Sequence, residues 1–506
     1  MPASPNYESI SQHDIDDHPA TLGDTPGGRR RQRHGKSLPT GEASWLSSVI
    51  NLMNTSMLPP CQIAAISMCM KETHGWESVV VGAGVLAMPH AMAKFGITLG
   101  VFVIVFSGCM SGFGLYLQAR CAKYVERGTA SFFSLSQLTY PNASVVFDAA
   151  IAIKCFGVAV SYLIIIGDLM PQVILGFNEN AGSIDYLMDR RFWITAFMLI
   201  VIPLSFLRRL DSLKYTSFIA LVSISYLVVL VLAHFIIGDT LPDRGPIHPL
   251  FPSSTIDVLG AFPIIVFAYT CHQNMFSIVN EINDNSHGST LSVIFGSIGS
   301  AGFIYLLVAI TGYLSYGDNV AGNIIAMYPG AWTSTVGRAA IVILVVFSYP
   351  LQAHPARASV DNVLKWRPAR GGAAGRPMMP VVRSAEMSDR RFAVITTLIL
   401  LGTFLTAITV NSLERVLAYV GSTGSTSISF ILPGIFYWKI SNPEADHHAL
   451  LKDDEDLNDE EVGEFIGSVD NWKTRLLRRG ALALVCYGFL VMFVCLGVNI
   501  LGHPSH

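Results

Sequence analysis

The feature that most constrains this chain is its succession of apolar runs, each about as long as a bilayer is thick. They lie at 97–119, 145–175, 192–207, 215–238, 256–280, 291–316, 334–355, 392–410, 414–438 and 481–502. A helix needs about 20 mostly apolar residues to cross the hydrocarbon core. A further run is split in two, 46–56 and 81–93, by a foreign-looking piece. Lipid offers no water to backbone N–H and C=O groups, so spanning segments of this kind must be helices. Only 14% of the 506 residues are charged, against about 25% in an average soluble domain. The sequence therefore predicts an all-α integral membrane protein with eleven transmembrane helices over 45–503, embedded in a lipid bilayer and preceded by a disordered cytosolic tail, 1–44. No secretory signal is expected there, because residues 1–44 are polar and carry the run Arg29-Arg30-Arg31-Gln32-Arg33 with no apolar stretch beside it.

Orientation follows from Lys and Arg, which concentrate on the cytosolic side. With a cytosolic N-terminus, the tail, 119–144, 206–214, 356–391 and 439–480 hold 25 of the 33 basic residues. The asymmetry holds only if 46–93 counts as one crossing. It places the C-terminus on the far side and leaves the sequon Asn142-Ala143-Ser144 cytosolic. The eight cysteines include no CxxC pair and are expected to be buried thiols. No metal or cofactor is expected. There is no Walker loop, HExxH or Ser/His/Asp set, so the reading is not an enzyme. No basic patch interleaved with aromatics points to nucleic acid.

Two helices carry breaks in matching places. Span 1 holds Gly82-Ala83-Gly84 with Pro89 beyond. Span 6 holds the polar hexapeptide Tyr269-Thr270-Cys271-His272-Gln273-Asn274 in mid-membrane. Spans 1 and 6 open the two halves of a 5+5 arrangement, and paired interruptions of this kind mark a midplane binding site in inverted-repeat transporters. A half-helix N-terminus suits a carboxylate and unwound carbonyls suit an ammonium or a cation. Together they match both ends of an amino acid. The alternative for Gly82 and Gly84 is close helix packing; for His272 it is burial as a packed side chain. Elsewhere Lys154 is expected to snorkel or to pair with Asp148, and Asp168 to sit at an interface. Pro350 and Pro355 predict a kink in span 8. Ser348 either bonds its own helix or faces the interior.

The stretches GAGVLAMPHA (82–91), SYLIIIGD (161–168), FAYTCHQNMFSIVNE (267–281), GYLSYGDNVAGNII (312–325) and YPLQAHPARASV (349–360) together resemble the amino acid/auxin permease family. The likeness is to its fungal vacuolar amino-acid exporters, relatives of the sodium-coupled neutral amino-acid transporters. It implies the inverted-repeat amino-acid transporter fold plus one helix. It also implies amino-acid movement across the vacuolar membrane to the cytosol, coupled to protons. Carried over, Gly82, Ala83 and Gly84 hold the substrate carboxylate, and Tyr269, Thr270, Cys271 and His272 lie at the amine. Asn54 and Ser348 match a coupling-ion site of the sodium-coupled relatives, with His272 a further coupling candidate. The alternatives are a Na⁺-coupled plasma-membrane importer, or an amino-acid-sensing receptor engaging a cytosolic partner through the tail or the acidic loop 453–464.

The piece Met57–Val80 departs from the family. It is 24 residues, or 72 nucleotides, long; without it the chain reads NLMNTSVGAGVLAMPHA, a continuous family-like helix. Pro59-Pro60 cannot continue a helix. Each of Lys71, Glu72 and Glu77 would cost about 2.5–3.5 kcal/mol at mid-membrane. A retained intron accounts for both its length and its chemistry. A genuine insertion, with 46–70 as a span of its own, is the alternative. The piece is expected to leave the bundle at the span 1 break, because loop-closure entropy grows only slowly with length.

Overall fold

The computed structural model describes residues 84–125, 128–208, 216–250, 252, 254–282, 286–365, 387–442 and 472–501. The tail 1–44, the first half of span 1 with Asn54, the piece 57–80, Gly82, Ala83 and the loop 453–464 lie outside them, and so does the expected excursion of 57–80.

The described elements are helices. They run α1 Gly84–Phe95, α2 Ile97–Ala122, α3 Phe132–Thr139, α4 Ser144–Phe177, α5 Arg190–Ser205, α6 Thr216–Ile237 and α7 Thr255–Ala268. They continue with α8 Met275–Glu281, α9 His287–Tyr316, α10 Trp332–Lys365, α11 Asp389–Thr409, α12 Leu413–Val420, α13 Leu432–Ile440 and α14 Trp472–Leu501. Starts are fixed by side-chain oxygens that accept the unpaired N–H groups of first turns. Asp189 caps α5, Ser286 caps α9 and Ser412 caps α12. Among the described residues, eight helical segments are long and apolar enough to cross a membrane. The other three predicted spans appear as α1, with 12 described residues, α5, with 16, and the composite α12–α13.

Large apolar side chains face outward, as lipid permits: Phe102, Leu199, Ile236, Phe295, Leu398 and Phe493 are all exposed. The interior is built on α4 and α10, each 34 residues long and packed against one another along much of their length. α10 runs unbroken through Pro350 and Pro355. One expectation for α4 changes. Near its far end, Asp168 meets Arg190 at 3.3 Å. Lys154 neither snorkels nor pairs with Asp148, because its face of α4 turns inward. It is 4% exposed, and Asp148 instead accepts from Asn362 at 3.2 Å.

Between α12 and α13 the chain adopts two π-helical stretches, Gly421–Ser425 and Ser427–Ile431. Short π segments inside helices are rare and concentrate at functional sites. Here they bring small residues hard against two other spans. A Cβ on Gly421 would lie 2.0 Å from the Pro263 carbonyl oxygen of α7; one on Gly424 would lie 2.7 Å from Lys154 Cβ and 2.9 Å from the Ala150 oxygen. Gly421→Val should therefore force α7 and α12 apart at a cost of about 1–3 kcal/mol. The expected result is a lower thermal midpoint of the detergent-purified protein; an unchanged midpoint would mean the two backbones are not in contact.

Candidate functional site

The span 6 helix stops at Ala268 and resumes at Met275, with a single 3-10 turn at His272–Asn274 between. The interruption falls on the polar hexapeptide. A broken helix in lipid leaves carbonyls that must find donors inside the protein, and here other helices supply them. Tyr305 of α9 donates its hydroxyl to the Ala268 oxygen at 2.7 Å. Ser111 of α2 donates to the Tyr269 oxygen at 3.0 Å. Gln118, two turns along the same helix, donates its amide to the His272 oxygen at 2.8 Å.

The side chains of the break point to opposite sides. Tyr269 is clasped between α2 and α9: its ring lies 3.2 Å from where a Cβ on Gly108 would be, and its hydroxyl 2.9 Å from the same point on Gly302. Its ring also meets Tyr305 edge-on at 5.0 Å. His272 is fully buried against α2 and its Nε2 lies 3.2 Å from the Ser111 oxygen. The partner is a carbonyl, so that nitrogen is the donor; Nδ1 has no hydrogen-bond partner. Thr270 turns the other way, accepting at 3.3 Å from the Ser429 hydroxyl in the second π-helical stretch. Cys271 lies within electrostatic range of both Lys154 of α4 and Tyr305 of α9. All four residues are buried.

Gly84, the described part of the span 1 glycines, sits against the end of α7. A Cβ there would lie 2.7 Å from Ala268 Cβ and 2.9 Å from its Cα. The start of the described part of span 1 thus touches the break in span 6, and packing alone is enough to require a glycine. Ser348 is buried in α10. Gly82, Ala83 and Asn54 lie outside the described residues, so their distances to these groups are not part of the structure. A cavity of about 200 Å³, lined by His90, Lys94, Asp257, Glu414, Arg415 and Asn499, opens between α1, α7, α12 and α14 at the end of the bundle opposite the basic loops.

Two sets of residues at the site were not singled out in the sequence, though a signal for each was present. Ser107, Ser111, Gly114 and Gln118 recur every three or four residues in an otherwise apolar span, which is a polar helix face. The run Gly421-Ser-Thr-Gly-Ser-Thr-Ser427 is similarly small and polar inside span 10.

The family profile described as "Transmembrane amino acid transporter protein" matches residues 77–451. The chain belongs to the transmembrane amino acid transporter family. This transporter is 43% identical over 461 residues to Vacuolar amino acid transporter 5 of Schizosaccharomyces pombe, covering 91% of this chain and 95% of the relative. It is 41% identical to Vacuolar amino acid transporter 6 of Saccharomyces cerevisiae, covering 82% and 95%. A more distant likeness, 28% identical with 79% and 85% covered, is to Sodium-coupled neutral amino acid transporter 7 of Danio rerio. Among solved structures, the crystal structure of MhsT in complex with L-phenylalanine superposes with a TM-score of 0.53 at 12% identity, covering 90% of this chain and all of that one. That likeness gives the transporter its fold class.

The capping of the break generates a prediction. Gln118→Leu keeps the bulk but leaves the His272 carbonyl without its donor, a loss of about 1–3 kcal/mol. The thermal midpoint of the purified transporter should fall, and transport per molecule with it. Wild-type values of both would mean that the carbonyl finds another partner.

Proposed function

We propose that the chain is a secondary active transporter that moves amino acids from the vacuole to the cytosol, coupled to protons, through a 5+5 inverted repeat plus one helix. In this reading it crosses the vacuolar membrane eleven times, with the N-terminus cytosolic and the C-terminus luminal. The observation that carries it is the interruption of span 6 with Gly84 of span 1 packed against its Ala268 end, in a chain whose relatives are named for vacuolar amino-acid transport. An interrupted pair offers free N–H groups to a carboxylate and turned-out carbonyls to an ammonium. The substrate carboxylate is assigned to Gly82, Ala83 and Gly84 and the amine to the stretch Tyr269–His272. Asn54, Ser348 and His272 are the candidates for ion coupling that the resemblance supplies. Within the stretch, Tyr269 and His272 fasten the break to α2 and α9, while Thr270 turns toward α12–α13. The cavity at the end opposite the basic loops would be the luminal entrance.

The test is flux in sealed vesicles holding the purified protein, with pH and sodium gradients imposed separately. Amino-acid flux should follow the pH gradient and ignore sodium. Flux that follows sodium, or binding without net flux, would contradict the reading. His272→Ala should lower flux per molecule by about tenfold, the equivalent of roughly 1.4 kcal/mol, with protein abundance less affected; wild-type flux would make it a packing residue only.

The piece 57–80 belongs to the same reading. The family match begins at residue 77, within the last four residues of the piece, and does not include 46–56. A form lacking 57–80 should carry higher flux than the 506-residue chain, and spliced transcripts should be found. Full activity of the longer form with no spliced transcript would make 57–80 a genuine element.

A further inference from the structure

Lys154 is a basic side chain deep in the bundle that the assignments above leave without a role. It faces inward from α4 at 4% exposure. Its backbone is pressed against the π-helical stretch of span 10, where Gly424 allows an approach that any Cβ would block at 2.7 Å. Ser425, next along that stretch, has a buried hydroxyl with no hydrogen-bond partner, and so does Tyr162, about two turns further along α4. Ionisable groups at such depth are expensive and normally serve a pathway.

Its charged surroundings are sparse. The groups that act electrostatically on Lys154 are the thiols of Cys155, on its own helix, and of Cys271, in the span 6 break. Carboxylates on the elements packed around α4 are occupied elsewhere. Asp148 accepts from Asn362 and Asp168 meets Arg190. Asp361 of α10 is bound by Lys365 and Arg391, and Asp389 of α11 by Arg208. Of the other titratable groups on α10, Tyr349 bonds Thr403, Arg357 bonds the Ser205 oxygen and Thr396, and His354 is exposed. On α12, Glu414 and Arg415 line the end cavity and Tyr419 bonds the Asn499 oxygen; the stretch Gly421–Ile431 contains no titratable side chain.

We propose that Lys154 is the proton-carrying group of the transport cycle. Its amine takes a proton when the interior opens to one side and releases it when the interior opens to the other, cycling between –NH2 and –NH3⁺. Lysine suits this where arginine does not, because a guanidinium keeps its proton. A protonated amine also repels a second cation, so the position is unsuited to Na⁺. Its backbone contact with the π-helical stretch and the Cys271 thiol within electrostatic range place its charge between span 10 and the span 6 break. His272 is less suited, since its Nε2 already donates to the Ser111 oxygen in a sealed site.

The inference rests on the proton-linked reading and is tested by separating coupling from translocation. Vesicles holding the full chain, and in parallel the form lacking 57–80, are assayed for amino-acid accumulation under a pH gradient and for counterflow at equal pH. A gradient of one pH unit supports about tenfold accumulation at one proton per substrate. In Lys154→Met and Lys154→Arg the accumulation ratio should collapse to about one, and counterflow should persist without dependence on pH. Retained accumulation in either variant overturns the proposal while leaving proton coupling intact. Parallel loss of accumulation and counterflow in both variants makes Lys154 structural, and a raised substrate KM in counterflow makes it a carboxylate ligand; each overturns it too. A wild type that ignores the pH gradient overturns both the proposal and the proton-linked reading.

Discussion

The structure depends on keeping backbone polar groups satisfied where no water reaches. A helix does this by itself; a broken helix does not, and span 6 is broken for six residues in the middle of the bundle. The break persists because Tyr305, Ser111 and Gln118 present donors to the Ala268, Tyr269 and His272 carbonyls. These donors come from α9 and α2, so the unwound stretch is tied to two helices on one side. On the other side the Thr270 hydroxyl accepts from Ser429 in the π-helical stretch of span 10.

This asymmetry bears on how such a bundle moves. The side of the break tied to α2 and α9 is held by four hydrogen bonds and by the clasped Tyr269 ring. The side toward span 10 is held by one hydroxyl contact at 3.3 Å and meets a helix wound in π turns. Segments that move are drawn from the less firmly held parts of a fold. Close backbone approaches at Gly84, Gly421 and Gly424 leave no room for side chains, so relative motion there means sliding of backbone on backbone, in the manner of packed helices in shear.

Much of the fold was legible because lipid imposes a length and a composition on each span. The span 6 break was legible because a polar hexapeptide has no place in an intact membrane helix. The donors were harder to see, since Ser111 and Gln118 read as ordinary polar residues until their common face is related to a partner 150 residues away. The inward turn of Lys154 was misread for the same reason: position within a span gives depth, whereas the face is fixed by neighbours such as Gly424. Span 10 kept the length of a continuous helix, so its π turns left a mark only in the density of Gly, Ser and Thr.

The central claim is that the span 6 break is the substrate site and that span 1 meets it there. An experimental density map of the transporter with a bound amino acid tests this most directly. The account predicts ligand density between Gly84 and the stretch Tyr269–His272, with the Ser111 and Gln118 caps in place. A continuous helix through 269–274, or ligand density confined to the end cavity around His90 and Glu414, would contradict it.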